Sequence, residues 1–188
     1  MNIHRIASKF INQKALQTDL RYLHYGKDGH AYASDKVTAI KLKDVNQLGE
    51  SFNLSLSSLE LKKGSYPSIA NQFKEPSEAT VFTIYASDVP ALEKATRGTK
   101  SDSGFLKISN DGEVTYESAA VPRLIIPAAG GSEQVGAVML DTKLFNRALW
   151  VAKELKQTIK VYVPSNLRPV LFDCESAQVL VCQKRLEG

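Results

Sequence analysis

The sequence predicts an α+β fold made of repeated units of one strand, one helix and three further strands, the first lacking its opening strand. Three observations carry this reading. Helical spacing of apolar residues gives way to alternating spacing in the same order three times along the chain. Two Asp-Gly pairs, Asp28-Gly29 and Asp111-Gly112, stand where tight reversals between strands belong. Of the 188 residues, 43% are hydrophobic, an ordinary fraction for a chain that buries a core.

The first copy opens with Ile6, Ala7, Phe10, Ile11 and Ala15 at helical spacing between Arg5, Lys9 and Lys14, which predicts an amphipathic helix over Ile3 to Leu16. Leu20 to Tyr25, Gly26 to Gly29 and His30 to Ala33 then read as a hairpin, and Val37 to Leu42 as a third strand. The second copy has a strand over Ala79 to Tyr85 and a helix over Asp88 to Thr96, with Asp88 as N-cap and Pro90 in the first turn. Its strands follow at Phe105 to Ser109, Glu113 to Ser118 and Arg123 to Ile126.

The third copy runs from Gly136 to Leu140 into a helix capped by Asp141 and ending at Lys156. Its strands are Ile159 to Val163, Val170 to Asp173 and Gln178 to Cys182. On this helix Leu144, Ala148, Val151 and Leu155 form the expected apolar stripe, beside Lys143 and Arg147, which share a face. Such units must pack against one another to bury their apolar faces, and three is an odd number. Either Phe52 to Leu61, a strand followed by a short turn or helix, belongs to a partial fourth unit, or another chain completes the set. Gly64 to Pro76 is rich in breakers and reads as a linker.

Composition narrows the chemistry. A net charge of +4 and a pI near 9.0 permit a nucleic-acid partner without demanding one. Cys174 and Cys182 form no CxxC pair, and His4, His24 and His30 do not cluster, so neither a zinc site nor a disulfide framework is expected. No apolar run reaches the roughly 20 residues of a membrane span and Met1 to Gln13 has no signal-like core, which places the chain in the cytoplasm. No cofactor is expected. Asp35, Asp44 and Asp141 are scattered and read as turn or cap residues, and no nucleophile and base share a pattern, so the chain is not expected to be an enzyme. Trp150 reads as packing rather than a base-stacking platform, and Ala128 to Gly131 as a plain loop, since no Lys-Ser or Lys-Thr follows it.

In its last third, the helix from Asp141 is followed by Ile159 to Val163, then Asn166-Leu-Arg-Pro-Val-Leu-Phe172, then Gln178 to Leu186, two residues before the sequence stops. That order resembles the end of the bacterial DNA polymerase III beta subunit, the sliding clamp. Gly64-Ser-Tyr-Pro67 resembles the family's linker between its middle and last domains, and Tyr32-Ala-Ser-Asp35 its Ala-Thr-Asp segment. The resemblance implies the DNA-clamp fold, with residues 1–66 as half of a middle domain and 67–188 as a complete last domain. It also implies a shortened, phage-borne relative or a protein that reuses the fold.

What the family does supplies further expectations. A closed ring around duplex DNA needs only weak, sequence-independent attraction to phosphates from its inner helices. Arg5, Lys9 and Lys14, then Lys94, Arg97 and Lys100, then Lys143, Arg147 and Lys153 would provide it, although ordinary solvated helix faces carry the same groups. A ring of about twelve helix-bearing units would close from four chains of three, a homo-oligomer. DNA polymerase or other replication proteins would dock in a pocket made by Ser34, Asp35, Val37, Pro67, Leu144, Leu167, Pro169, Leu180, Cys182 and Lys184. The family's Met-Pro-Met before Arg-Leu is here Cys182-Gln-Lys184, and its His-Arg-Leu after the Asp is Val37-Thr-Ala39, which makes the pocket smaller and more polar. The alternative is a clamp-fold interaction module of the replication machinery that does not encircle DNA.

Overall fold

A computed structural model describes residues 2–64, 66–67, 69–97, 102–130 and 136–185. The chain forms two compact units, one of Met1–Lys74 with Glu175–Val179, the other of Glu75–Cys174 with Leu180–Gly188.

The first unit begins with helix α1 (Ile3–Ala7), capped by the Asn2 side chain, which accepts the Arg5 N–H at 3.0 Å. One 3-10 turn, Ser8–Phe10, continues it, and there the helix ends well short of Leu16. The reason is Asn12, whose side chain accepts the Lys14 N–H at 3.0 Å and whose carbonyl accepts the Ala15 N–H at 3.0 Å, a local turn that competes with the helix. Lys14 therefore stands on a turn rather than on the helix. Strand β1 (Leu23–Tyr25) is also shorter than its apolar run, because Thr18–Arg21 coils into a 3-10 turn held by the Arg21 guanidinium on the Ala15 carbonyl at 2.7 and 2.9 Å.

The first hairpin joins β1 to β2 (Ala31–Ser34) through Asp28-Gly29, where Gly29 takes φ +87°. Strand β3 (Thr38–Leu42) follows a turn organised by Asp35, whose Oδ1 accepts the Thr38 N–H at 2.8 Å and its hydroxyl at 3.0 Å. The stretch expected as one strand followed by a short turn or helix is two short strands, β4 (Phe52–Leu54) and β5 (Leu61–Lys62), with Ser55 bonding the Ser57 and Ser58 hydroxyls between them. The order is β5–β4–β1–β2–β3, and the last strand, β13 (Ala177–Val181), begins beside β3, where Lys43 donates to the Ser176 carbonyl at 2.9 Å.

The second unit contains β6 (Ala79–Ile84), α2 (Val89–Thr96), β7 (Ser103–Ile108), β8 (Val114–Ser118) and β9 (Leu124–Ile126). It continues with β10 (Gly136–Asp141), α3 (Thr142–Leu155), β11 (Ile159–Pro164) and β12 (Val170–Asp173). Its two repeats exchange their opening strands. β6 precedes α2 but pairs with β11 of the later repeat, from Ile159↔Ile84 to Pro164↔Ala79, while β10 precedes α3 but pairs with β7, from Gly136↔Ile108 to Asp141↔Ser103. Each repeat thus completes the other's sheet, and neither is a separable module.

Helix α3 starts because the Asp141 carboxylate accepts the Lys143 N–H at 2.9 Å, and stops where Lys156 turns left-handed at φ +56°. Asp88 stands at the N-cap of α2 but makes no side-chain capping bond; its backbone is already helical and its carbonyl accepts the Leu92 N–H at 3.2 Å. The buried face of α3 is Thr142, Phe145, Ala148, Leu149, Val151 and Ala152, so the stripe lies one position around from the expected one and leaves Leu144 and Leu155 half-buried.

Phe145 stacks on Tyr116 at 4.6 Å and leans on Phe172 at 5.9 Å, joining the helix to β8 and β12. The Tyr116 hydroxyl reaches the Thr142 hydroxyl at 2.6 Å, and burial pushes the phenol up to about 12. This tyrosine fits only because residue 104 is glycine: a Cβ there would stand 2.2 Å from the Tyr116 hydroxyl oxygen and 2.9 Å from the Glu117 carbonyl. Gly104→Ala should destabilise the protein by about 1–3 kcal/mol in urea titrations, with the slope of the transition unchanged. Parent-like stability would show that β7 and β8 do not hold this spacing.

Candidate nucleic-acid and partner interfaces

The basic residues of the two long helices are not equivalent. Glu93, on α2 and only 2% exposed, accepts Arg97 Nε at 2.8 Å and Arg97 Nη2 at 2.5 Å, and Lys153 Nζ from α3 at 2.8 Å. Asn146 of α3 adds bonds to the Glu93 carbonyl at 2.7 Å and the Thr96 hydroxyl at 2.9 Å. Hydrogen bonds from Arg97, joined by Lys153, hold the Glu93 carboxyl below its ordinary value against the opposing pull of burial. One buried carboxylate therefore fastens the helices together and absorbs charge from two of the residues expected to face DNA.

Lys94 and Lys143 stand exposed on the same pair of helices, and Arg147 is half-buried with interactions of its own. In the first unit Arg5 and Lys9 are exposed on the short helical segment and Lys14 on the turn after it. Lys100 lies outside the described residues. Sequence spacing found these cations, but it gave no sign that Glu93 would be buried beneath two of them. An acid four residues before a basic residue is the one local signal, and it is common on solvated helices.

The expected partner pocket divides between the units. Ser34, Asp35, Val37 and Pro67 belong to the first, where Ser34 is buried with its hydroxyl on the Thr38 carbonyl and Val37 is 47% exposed. Leu144, Leu167, Pro169, Leu180, Cys182 and Lys184 belong to the second. There Leu167, 63% exposed, and Lys184 line one cavity of about 390 Å³ with Ala137, Val138, Met139, Gln183 and Arg185. Leu180 is buried in the sheet, while Leu144, Pro169 and Cys182 are half-buried.

The tail that forms this cavity is held in place. The Lys184 N–H donates to the Met139 carbonyl at 2.8 Å, and its Nζ reaches Ser103 Oγ at 2.9 Å and the Asp141 carboxylate at 3.2 Å. Gln183 bonds the Asn166 and Arg168 carbonyls at 2.9 and 2.7 Å, fixing the loop that carries Leu167. The β10 residues of the wall were missed by sequence, since only the pairing of the tail with Met139 brings them to it. Among the described residues no three metal-ligating side chains cluster, and no helix is long and apolar enough to cross a membrane.

This architecture is that of solved sliding clamps. The DNA polymerase sliding clamp of Bacillus subtilis superimposes on 98% of the chain with a TM-score of 0.75 at 15% identity, over 62% of its own length. The DNA polymerase III beta chain of Streptococcus pneumoniae gives 0.75 at 14% identity, covering 98% and 62%. The Helicobacter pylori beta clamp bound to a DNA ligase peptide gives 0.71 at 13% identity, covering 97% and 62%. No family model matches the sequence, and no curated protein matches it. The chain thus has the sliding-clamp fold and spans less than two thirds of the length of these clamps.

The Glu93 node yields a test of sign as well as size. A carboxyl whose folded value is lowered stabilises the fold fully above the ordinary carboxylate range and loses that contribution as pH falls through the folded value. Glu93→Gln should cost about 1–2 kcal/mol at pH 7, moderated because Arg97 is 57% exposed and screened by water. The gap to the parent should close on acidification in urea titrations; a gap independent of pH would contradict the ionised pairing.

Proposed function

We propose that the chain is a non-enzymatic DNA tether of the replication machinery, acting in the cytoplasm as a homo-oligomer that surrounds duplex DNA and holds a replication protein against it. The observation that carries the reading is the clamp fold across nearly the whole chain, including the paired helices α2 and α3 with cations on them. A tether of this kind needs no sequence readout. Enclosure supplies retention, and side chains such as Lys94, Lys143, Lys9 and Arg5 supply a weak phosphate attraction. The net charge of +4 suits that role, since a strongly basic ring would stall on the backbone it must slide along.

DNA polymerase or another replication protein is the partner we assign to the 390 Å³ cavity beside Leu167 and Lys184. Its lining is part apolar, from Val138, Met139 and Leu167, and part basic, from Arg185 and from Lys184, whose charge Asp141 partly offsets, which suits a short segment mixing apolar and acidic side chains. The second reading, a clamp-fold interaction module that does not encircle DNA, draws on Glu93, because two of the helix cations are already paired.

Retention on DNA of different topology separates the two. On the tether reading the protein outlasts a salt wash on nicked circular duplex and slides off the same duplex once it is linearised. Lys94→Ala and Lys143→Ala should each lower the slope of log affinity against log salt by about 1. Equal loss from circles and linear DNA, with tight binding to a replication protein, would favour the interaction module.

A further inference from the structure

The first unit contains a second cavity, of about 350 Å³, lined by His24, Gly26, Lys27, Asp28, Tyr32, Ser51, Tyr66, Pro67, Ile69 and Ala70. Its volume falls in the lower part of the range of small-molecule sites, roughly 300–1,000 Å³. Strand register brings two of its polar residues together, His24 of β1 opposite Tyr32 of β2, with Asn53 of β4 beside His24 on the other side. His24 Nδ1 lies 2.8 Å from Asn53 Oδ1, and the tautomer that donates there presents Nε2 as an acceptor. Tyr66, also in the lining, lies flat on the His24 ring, centroids 4.7 Å apart and planes 5° from parallel.

The two charges of the lining are not equally available. Asp28 already accepts the Tyr32 hydroxyl at 2.5 Å and the His30 N–H at 3.2 Å. Lys27 is exposed, and among the described residues no carboxylate pairs with it. Its backbone N–H donates to Ser51 Oγ at 3.1 Å, which leaves the serine proton to donate elsewhere. The lining thus offers a cation, a hydroxyl donor, a ring acceptor and an apolar shelf of Pro67, Ile69 and Ala70.

We propose that this cavity binds a single nucleotide, its phosphate at Lys27 and Ser51, its base on the apolar shelf with an N–H donated to His24 Nε2. An anion alone would leave the shelf and His24 unused, and an uncharged ring would leave Lys27 unused. A paired base inside duplex DNA cannot enter such a recess, so the nucleotide is either free or part of a single strand. The assignment is independent of ring formation.

The test uses the full chain and three small probes, thymidine 5′-monophosphate, thymidine and inorganic phosphate, with a twelve-residue oligothymidylate as a fourth, followed by calorimetry and amide NMR shifts. The monophosphate should bind saturably, shift amides of the first hairpin, and outcompete thymidine and phosphate. Lys27→Ala and His24→Ala should each weaken it about tenfold, whereas Lys27→Arg should retain it. Lys27 stands on an exposed turn, so an unchanged melting temperature separates lost binding from lost folding. If only the oligonucleotide shows this Lys27 dependence, the occupant is a nucleotide of a single strand. The proposal fails if neither thymidylate probe depends on Lys27 and His24, or if inorganic phosphate binds as tightly as the monophosphate.

Discussion

The exchange of opening strands between the two repeats of the second unit is the constraint on which its other features depend. Because β6 completes the sheet of β11 and β12 while β10 completes that of β7 to β9, neither repeat can finish its hydrogen bonding alone. The exchange sets the two helices side by side and brings Tyr116, Phe145 and Phe172 into one aromatic cluster. It also fixes the strand against which the tail residues 182–185 lie, since Lys184 bonds to Met139 of the exchanged β10.

Glu93 works within that frame. Placing a carboxylate beneath a helix pair is unfavourable unless its hydrogen-bonding capacity is filled, and Arg97 and Lys153 fill it from two elements. The same bonds reduce the positive field on this pair of helices, while Lys94 and Lys143 stand exposed outside the Glu93 pairing. A moderate field fits the proposed tether, which would hold DNA by enclosure rather than by adhesion.

Much of the fold was legible in the sequence because the repeat signals are strong and local. Asp28-Gly29 and Asp111-Gly112 turn where expected, with both glycines at positive φ, and Asp141 caps the long helix. The failures have local causes too. The helix from Ile3 stops at a turn made by Asn12, which spacing of apolar residues cannot see. The stripe on α3 was misread by one position because Thr142, Phe145 and Leu149 are drawn under by the aromatic cluster, a tertiary contact. The strand exchange was invisible for the same reason, since a strand's sequence records its alternation and not its partner. For the candidate sites, the cations could be found by spacing, whereas the burial of Glu93, the β10 wall of one cavity and the His24–Tyr66 stack of the other arise only when distant segments meet.

The central claim, that this chain works as an assembled tether, is tested most directly by its mass in solution. Light scattering from about 1 to 100 μM, at low and moderate salt, should give one stable multiple of the 20.7 kDa chain across the upper part of that range. A mass of 20.7 kDa at every concentration and both salt levels would contradict it.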